Sequence, residues 1–440
     1  MALAVHPPVE RPPGPELGRL ELLRLLRSRQ LTSYLDRAVE VAPELAHFRI
    51  GREHAYLVGT PELVRELFGP LGRVGRKGRG LEQTRVLLGD GLLTSEGDLH
   101  RQQRRLIQPA FHATRIDAYA RIMRTAAAEL PERAGWADGT VRDMAPDMAA
   151  LTLRIVGQTL FAADLTDDST AVSAALAELL GRFQRVMVPG GALLNRLPLP
   201  STRVLMSAIA ELDTVVGRLI AEQRAGLGDD GTVLAMLLHA RDEDGRPMPD
   251  RLVRDEVLTL MLAGHETTAN SLGWCWERLV RNPEPHAALL EAVRRDEGAE
   301  ERVEATITET MRNRPVIPII GRRVQVPWRL GDYGVEPGTA IAMSILLVHH
   351  REDVYPDPFA FRPERWLGRK PGTYDWIPFG GGIRRCLGAA LAMAEQRVVL
   401  TTMAKRLDLA APTPAPERAM HRNVTMIPAQ GATVVIAAKH

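Results

Sequence analysis

A mainly α fold with a small β-rich region (α+β) is what the 440-residue sequence predicts, on three observations. Residues 250–281 make one unbroken helical pattern of about 32 residues, roughly 48 Å at 1.5 Å per residue, enough to cross a large domain. Residues 115–224 repeat the helical period in Ala/Leu-rich runs, interrupted once at 188–200 (VPGGALLNRLPLP). Strand-like stretches are short: 48–50 and 55–58 near the N-terminus, 317–326 and 339–343 between Gly and Pro turns, and 433–436 near the C-terminus.

Composition bounds the function. With 45% hydrophobic and 25% charged residues the chain has ample material for a core, and no Gly/Ser-rich linker or composition shift divides it, so residues 1–440 read as one domain. A formal net charge of +2 argues against a nucleic-acid partner. Two cysteines argue against a disulfide framework and for a reducing, cytoplasmic setting. The proline-rich segment 1–16 holds no apolar run near the roughly 18 residues that span a bilayer, so no membrane anchor is expected.

Taken in order, residues 17–26 read as a short amphipathic helix. The stretch 69–80, GPLGRVGRKGRG, lacks the Gly-x-Gly-x-x-Gly spacing of a phosphate loop and reads as a mobile loop. Residues 97–111 read as a helix that puts His100 and Arg104 on one face, in the plainest case a solvated basic face. The centre of the long run, 263–268 (AGHETT), sets a glycine costing about 1 kcal/mol relative to alanine beside an acid and an alcohol. Taken alone, Thr267 would bond back to the Ala263 carbonyl and Glu266 would face a polar gap.

Glu309 and Arg312 stand three apart on a helical pattern, a spacing so common that by itself it says little. Residues 351–376 are broken by Pro356, Pro358, Pro363 and Pro371 and read as a long irregular loop. That loop leads into 376–388, WIPFGGGIRRCLG, and then an alanine-rich helical run over 389–407. Cys386 therefore sits where a glycine turn meets a helix N-terminus beside Arg384 and Arg385, a field that favours thiolate.

Such a sulfur is a nucleophile, a metal ligand or simply a half-buried cap. A phosphate cradle would need a lysine or serine after the glycines, and a cysteine-phosphatase loop an arginine six positions on, where this chain has Ala392. A cysteine hydrolase is not excluded by spacing, because its histidine can lie anywhere in the chain.

Phe379, Gly382, Arg384, Cys386 and Gly388 together spell Phe-x-x-Gly-x-Arg-x-Cys-x-Gly, and on these residues the chain resembles the cytochrome P-450 family, soluble bacterial type. The resemblance implies the P-450 fold, with heme b (iron protoporphyrin IX) between the long helix and the cysteine loop. It makes Cys386 the axial iron ligand, whose electron donation favours O–O cleavage. It gives Gly382 the tight turn, Gly380 and Gly388 a place against the porphyrin, and Phe379 the shielding of the sulfur. Arg384, His100 and Arg104 would meet the propionates, as would Arg322, although adjacent Arg323 leaves that register open.

The same resemblance makes 263–268 an oxygen-binding groove where the helix opens locally. Ala263 and Gly264 would leave room over the iron, Thr267 would hydrogen-bond the bound oxygen, and Glu266 would relay protons to it. His265 would be packed or solvated rather than catalytic. Glu309 and Arg312 would join Arg365, in FRPERW at 361–366, in a buried structural network. Residues 69–88, 188–200 and 423–426 would line the substrate path.

The implied activity is a monooxygenase that activates O2 and inserts one atom, by hydroxylation or epoxidation, into an apolar small molecule such as a steroid, terpenoid, fatty acid or polyketide-like compound. Electrons would come from a ferredoxin or flavodoxin with an NAD(P)H-dependent reductase, since no fused flavin or iron–sulfur domain is expected, and Arg101, Arg105, Arg385 and Arg397 would meet the acidic donor. Two rivals are a peroxide-driven or electron-independent heme-thiolate enzyme and a non-catalytic heme sensor; an intact Glu266–Thr267 pair argues against both.

Overall fold

The computed structural model describes residues 10–15, 41–50, 53–69, 72, 75–165, 168–181, 200–226, 231–241, 244–422 and 424–440. The helix expected over 17–26, the break over 188–199 and most of the segment 1–16 lie outside them.

The chain opens with strands β1 (Leu45–Ile50) and β2 (Glu53–Val58), helix α1 (Pro61–Phe68), the short β3 (Arg76–Lys77), and helices α2 (Arg79–Leu88) and α3 (Gly97–Ile107). There follow α4 (Ala113–Arg133), β4 (Val141–Asp143), α5 (Met144–Leu160), α6 (Ser169–Gly181), α7 (Pro200–Arg224) and α8 (Val233–His239). The long α9 (Asp250–Val280) leads to α10 (Pro283–Arg295) and α11 (Ala299–Asn313). Next come β5 (Ile319–Arg323), β6 (Trp328–Leu330), β7 (Tyr333–Val335), β8 (Ala340–Ser344) and α12 (Ile345–His349). The chain ends with α13 (Ala389–Arg406), β9 (Leu407–Ala410), β10 (Ala419–Arg422), β11 (Thr425–Pro428) and β12 (Thr433–Lys439). These elements fall into two compact units, each described by itself: a sheet unit of Met1–Arg79, Ile317–Ala360 and Lys370–Cys386, and a helical unit of Gly80–Val316, Phe361–Arg369 and Leu387–His440.

In the sheet unit five strands run in the order β1-β2-β8-β5-β3, with β2 and β8 parallel and the other pairs antiparallel. Strand side chains alternate between faces, so Tyr56 and Val58 come into register with Ile341 and Met343 on one side. There they join Val64, Leu67 and Phe68 of α1 in one apolar cluster. Thr60 caps α1 by accepting the Leu63 amide at 3.4 Å, and Pro61 follows at the first helical position, where its missing N–H costs nothing. Residues 69–80, expected as a loop, instead contribute β3, whose Arg76 and Lys77 pair with Arg323 and Arg322 of β5. The glycines around them carry no strand pattern; the ladder comes from a partner far along the chain.

In the helical unit α9 spans 31 residues, roughly 46 Å, and its longest packing is against α5. It is continuous α-helix; the local opening implied for its centre is absent. α3 stops at Ile107 and gives way to a 3-10 turn over Gln108–Phe111, because Pro109 can no longer donate to the helix ladder. The strand β4 interrupts what the pattern reads as helix, pairing Asp143 and Val141 with Thr433 and Val435 of β12. Its three residues are too few to show a period.

A buried charge cluster ties the end of α9 to the C-terminal strands. The Glu417 carboxylate accepts the amides of Gln430, Ala432 and Thr433 at 2.7, 3.2 and 2.7 Å and lies 3.6 Å from the Arg281 guanidinium, both side chains being 1% exposed. Glu277 in turn accepts from Arg278 at 2.5 and 2.8 Å and from the Glu417 amide at 2.8 Å. Replacing Glu417 by Ala removes the acceptor of three amides, that of Ala432 buried, and one of the two carboxylates beside the buried Arg281 guanidinium. The expected cost is about 3–5 kcal/mol, read as a lowered midpoint of urea unfolding, with the Glu417→Gln variant losing less.

Candidate active site

The cysteine loop is held inside the sheet unit by its own backbone. The Ile377 carbonyl accepts the Gly380 amide at 3.0 Å, the Gly382 carbonyl accepts the Arg385 amide at 3.1 Å, and the Phe379 carbonyl accepts the Cys386 amide at 2.9 Å. Gly380 and Gly382 adopt φ of +63° and +62°, which side chains with a Cβ rarely do. A Cβ on Gly381 or Gly382 would also overlap the ring or the carbonyl oxygen of Phe68, so the glycine run is pressed against the end of α1. Below it, His349 accepts the Ile377 amide at 2.9 Å within the core. Trp376 and Phe379 meet edge to face at 6.0 Å.

That loop leaves Cys386 exposed, while Cys275 is fully buried in α9 and burial pushes its thiol up to about 12. The structure thus separates one available thiol from one inert one. Among the described residues no group of three or more His, Cys, Asp or Glu is placed to hold a metal ion.

In the helical unit, α9 is buried at every position over residues 255–280 except Ala263, Gly264 and Thr267. These stand at i, i+1 and i+4, and so share one face in the middle of an otherwise covered helix. The Thr267 hydroxyl donates to the Ala263 carbonyl at 2.6 Å, the back-bond that Thr267 read alone suggests. Gly264 has a use that its sequence does not show: a Cβ there would lie 2.9 Å from Cγ2 of Val156 on α5. One turn before Val156, Thr152 donates to the His265 carbonyl at 3.0 Å. The glycine is required by the close approach of α5.

His265 is packed rather than solvated, and burial holds its imidazole down to about 4, hence neutral at physiological pH. Glu266 faces the β10–β11 hairpin, with its carboxylate 3.3 Å from the Arg422 guanidinium and 3.3 Å from the Thr425 hydroxyl. Burial raises its pKa and outweighs the opposing effect of Arg422.

Glu309 is the centre of the third cluster and is 0% exposed. Its two oxygens accept both Nε and Nη2 of Arg312 at 2.8 Å, Nε of Arg365 at 3.2 Å, the Arg362 amide at 2.9 Å and the Trp366 indole at 2.9 Å. The bidentate fork between Glu309 and Arg312 is the geometry a carboxylate and a guanidinium favour when both lose water.

The remaining expected residues are placed as follows. His100 is buried on α3 with half-buried Arg104 one turn on. Arg322 and Arg323 alternate along β5, so they point to opposite faces of the sheet, and Arg322 donates to the Gly321 carbonyl at 2.9 Å. Arg384 is half-buried beside the cysteine. Gly388 has an ordinary φ of −82°, and an added Cβ would only touch Phe111 at 3.6 Å, so the protein's own packing does not demand a glycine there. Of the four arginines expected to meet an acidic donor, Arg101 pairs with Asp98 and Arg397 with Glu304 at 2.8 Å.

Sequence reasoning missed Val156, Thr152 and Arg422, which act on the named residues from elements far away along the chain, and it did not link Thr425, within 423–426, to Glu266 or Trp366, within 361–366, to Glu309. It also missed Glu395 on α13, a fully buried carboxyl whose pKa desolvation raises well above the usual range. No local pattern marks any of them.

The family model described as Cytochrome P-450 matches residues 7–435. The chain belongs to the cytochrome P-450 family. A relative provisionally named cytochrome P-450 135B1, from Mycobacterium tuberculosis, is 35% identical over 97% of this chain and 91% of its own length. Cytochrome P-450 138 of the same species is 34% identical over 98% of both chains, and cytochrome P-450 137 is 33% identical over 86% of this chain and 79% of its own length.

Family membership makes the protein a heme-thiolate monooxygenase in general terms, an oxidoreductase that uses heme b, O2, a substrate and redox partners. The side chains of this P-450 fit that group. The exposed thiol ends a loop whose Gly380 and Gly382 take positive φ, and a small-residue face lies open on the longest helix. Among the described residues no helix is long and apolar enough to cross a membrane.

Two outcomes test these packings. Gly264→Ala should destabilise the P-450 by about 1–3 kcal/mol through overpacking, and adding Val156→Ala should restore most of that, as a double-mutant cycle of thermal unfolding will show. Glu309→Ala should cost about 3–5 kcal/mol by leaving buried guanidinium and indole donors unpaired, and the purified protein should carry heme well below one per chain by absorbance.

Proposed function

We propose that this P-450 inserts one oxygen atom of O2 into an apolar small molecule, by hydroxylation or epoxidation. The observation that carries the reading is the selective exposure of Cys386 in a chain whose other thiol is inert. Cys386 would ligate the heme iron. Arg384, His100, Arg104 and Arg322 would hold the propionates, and Ala263, Gly264, Phe379, Gly380 and Gly388 would lie against the ring. When bound, a cysteinate-ligated heme supplies the electron donation that favours cleavage of dioxygen.

The chain's own residues prepare that chemistry. The rings of Trp376 and Phe379 meet edge to face within the cysteine loop and would limit water beside the sulfur once heme covers it. The Thr267 hydroxyl, parked on the Ala263 carbonyl, needs only a rotation about χ1 to donate into the open face. Glu266 holds a proton to higher pH than an exposed glutamate, the property a proton donor needs near neutrality. Glu309, Arg312 and Arg365 are structural.

Small apolar residues on the α9 face favour an apolar substrate: a steroid, terpenoid, fatty acid or polyketide-like skeleton. Arg422, which the sequence reading did not count among the charges near the groove, is engaged by Glu266. We assign electron supply to a separate ferredoxin or flavodoxin with its NAD(P)H-dependent reductase, and the whole chain to one catalytic domain. Two cysteines, neither in a disulfide, support a cytoplasmic setting.

One experiment examines both halves. The reduced carbon-monoxide complex of the wild type should show the red-shifted absorption of thiolate ligation and Cys386→Ser should lose it. Thr267→Ala should keep that absorption while oxygenating substrate roughly 10²-fold more slowly and diverting NAD(P)H into peroxide. A wild-type complex without the thiolate band, or a Thr267→Ala variant with unchanged coupling, would remove the corresponding residue from the mechanism.

A further inference from the structure

Strand β1 lies at one edge of its sheet, where its outer backbone groups have no neighbouring strand among the described residues. Residues 10–15 cover that edge at His47. The His47 amide donates to the Pro13 carbonyl at 2.9 Å, Pro12 is buried, and a Cβ on Gly14 would overlap the His47 carbonyl oxygen. Contact that close leaves no room for a side chain. Arg11 adds a second attachment, pairing at 3.0 Å with Glu336, which follows β7.

The residue that receives the segment also carries half of a titratable pair. His47 stands opposite Tyr56 and Arg49 opposite His54, which puts all four side chains on one face of the sheet. Nε2 of His47 lies 2.9 Å from Nδ1 of His54, and the two rings stack with centroids 5.1 Å apart. Tyr56 meets His47 edge-on at 5.6 Å while its hydroxyl donates to the Gly334 carbonyl at 2.9 Å. A hydrogen bond between imidazoles needs one bare nitrogen, so the pair holds with both rings neutral or with one charged, and breaks when both are charged.

The surroundings oppose even the first proton. Burial, His54, Arg11 and Arg49 hold His47 below its ordinary range, and burial, Arg11 and Arg49 do the same to His54 against the pull of Glu336. Arg11 therefore acts in both directions. Docked, it favours the neutral rings, and an imidazolium formed beside it repels it.

We propose that the His47–His54 pair is a proton-operated latch for residues 10–15: neutral, it leaves the segment docked on β1, and protonation drives the segment off and uncovers the edge of the sheet. A segment that lowers the proton affinity of both imidazoles binds best while they are neutral, above their free value of about 6.5. Its hold is lost as pH falls through their lower, docked values. The groups that bear on the pair are Arg11 of the segment, Arg49 of β1, Tyr56 of β2 and Glu336 after β7; of these and the imidazoles, the imidazoles are the ones that change charge between about pH 5 and 8. The latch is independent of the chemistry at Cys386.

The test uses the heme-loaded full chain and hydrogen exchange at the His47 amide, whose acceptor belongs to the segment. Corrected for intrinsic exchange, its protection should fall about tenfold between about pH 7.5 and 5.5, while amides of β2 and β8 stay protected. In His54→Gln, which keeps a hydrogen-bonding side chain and removes the charge, that fall should shrink to about threefold or less. By reciprocity, Gly14→Val, which undocks the segment without touching either ring, should raise both imidazole titrations toward 6.5 in nuclear magnetic resonance spectra. Each signal is assigned by its loss in His47→Gln or His54→Gln.

His47 protection that does not change with pH, or titrations that stay in place in Gly14→Val, overturn the latch. Protection lost from β2 and β8 together with β1 is general acid unfolding and overturns it as well.

Discussion

The hydrogen bond from the Cys386 amide to the Phe379 carbonyl, 2.9 Å long, closes the loop from which the function follows. It sets the cysteine backbone directly across from the aromatic residue, so the position of the sulfur is determined by main-chain geometry before any side chain is chosen. Glycines with positive φ and the steric wall of Phe68 leave the loop few other paths. Rigidity of this kind suits the role proposed for Cys386, because a metal ligand works best when its own backbone holds it in place.

The helical unit solves a different problem. A helix buried on all sides normally has nothing to offer chemistry, and α9 is buried nearly throughout its central and C-terminal turns. Three small or short residues on one face keep a place open, and the helix remains continuous there while the Thr267 hydroxyl donates to the Ala263 carbonyl. At the edge of that same face Gly264 lets α5 come close, and Thr152 of α5 bonds across to the His265 carbonyl.

Single carboxylates organise the polar interior. Glu309 gathers two arginines, an indole and a backbone amide; Glu417 gathers three amides and a guanidinium; Glu266 is held by a guanidinium and a hydroxyl at longer range. The first two have contacts as short as 2.8 and 2.7 Å and are fully enclosed, the pattern of groups that never change partners. The contacts of Glu266 are longer, at 3.3 Å, and reach a half-exposed partner.

The elements themselves were largely legible. The long helix, the strands 48–50 and 55–58, and the helix after Cys386 follow from periods of 3.6 and 2 that hydrophobic side chains write directly into sequence. Residues 69–80 and β4 were not legible, because a two- or three-residue strand has no period and exists only through its partner. The chemical identity of the site, a thiol within a glycine- and arginine-bearing loop and an acid beside an alcohol, is a property of residue types at short spacing, and the sequence alone determined it. Which thiol is available, why Gly264 is glycine and what holds Glu266 were decided only by the tertiary structure. Burial and contacts between residues more than a hundred positions apart, such as Glu266 and Arg422, depend on how elements pack and leave no local trace.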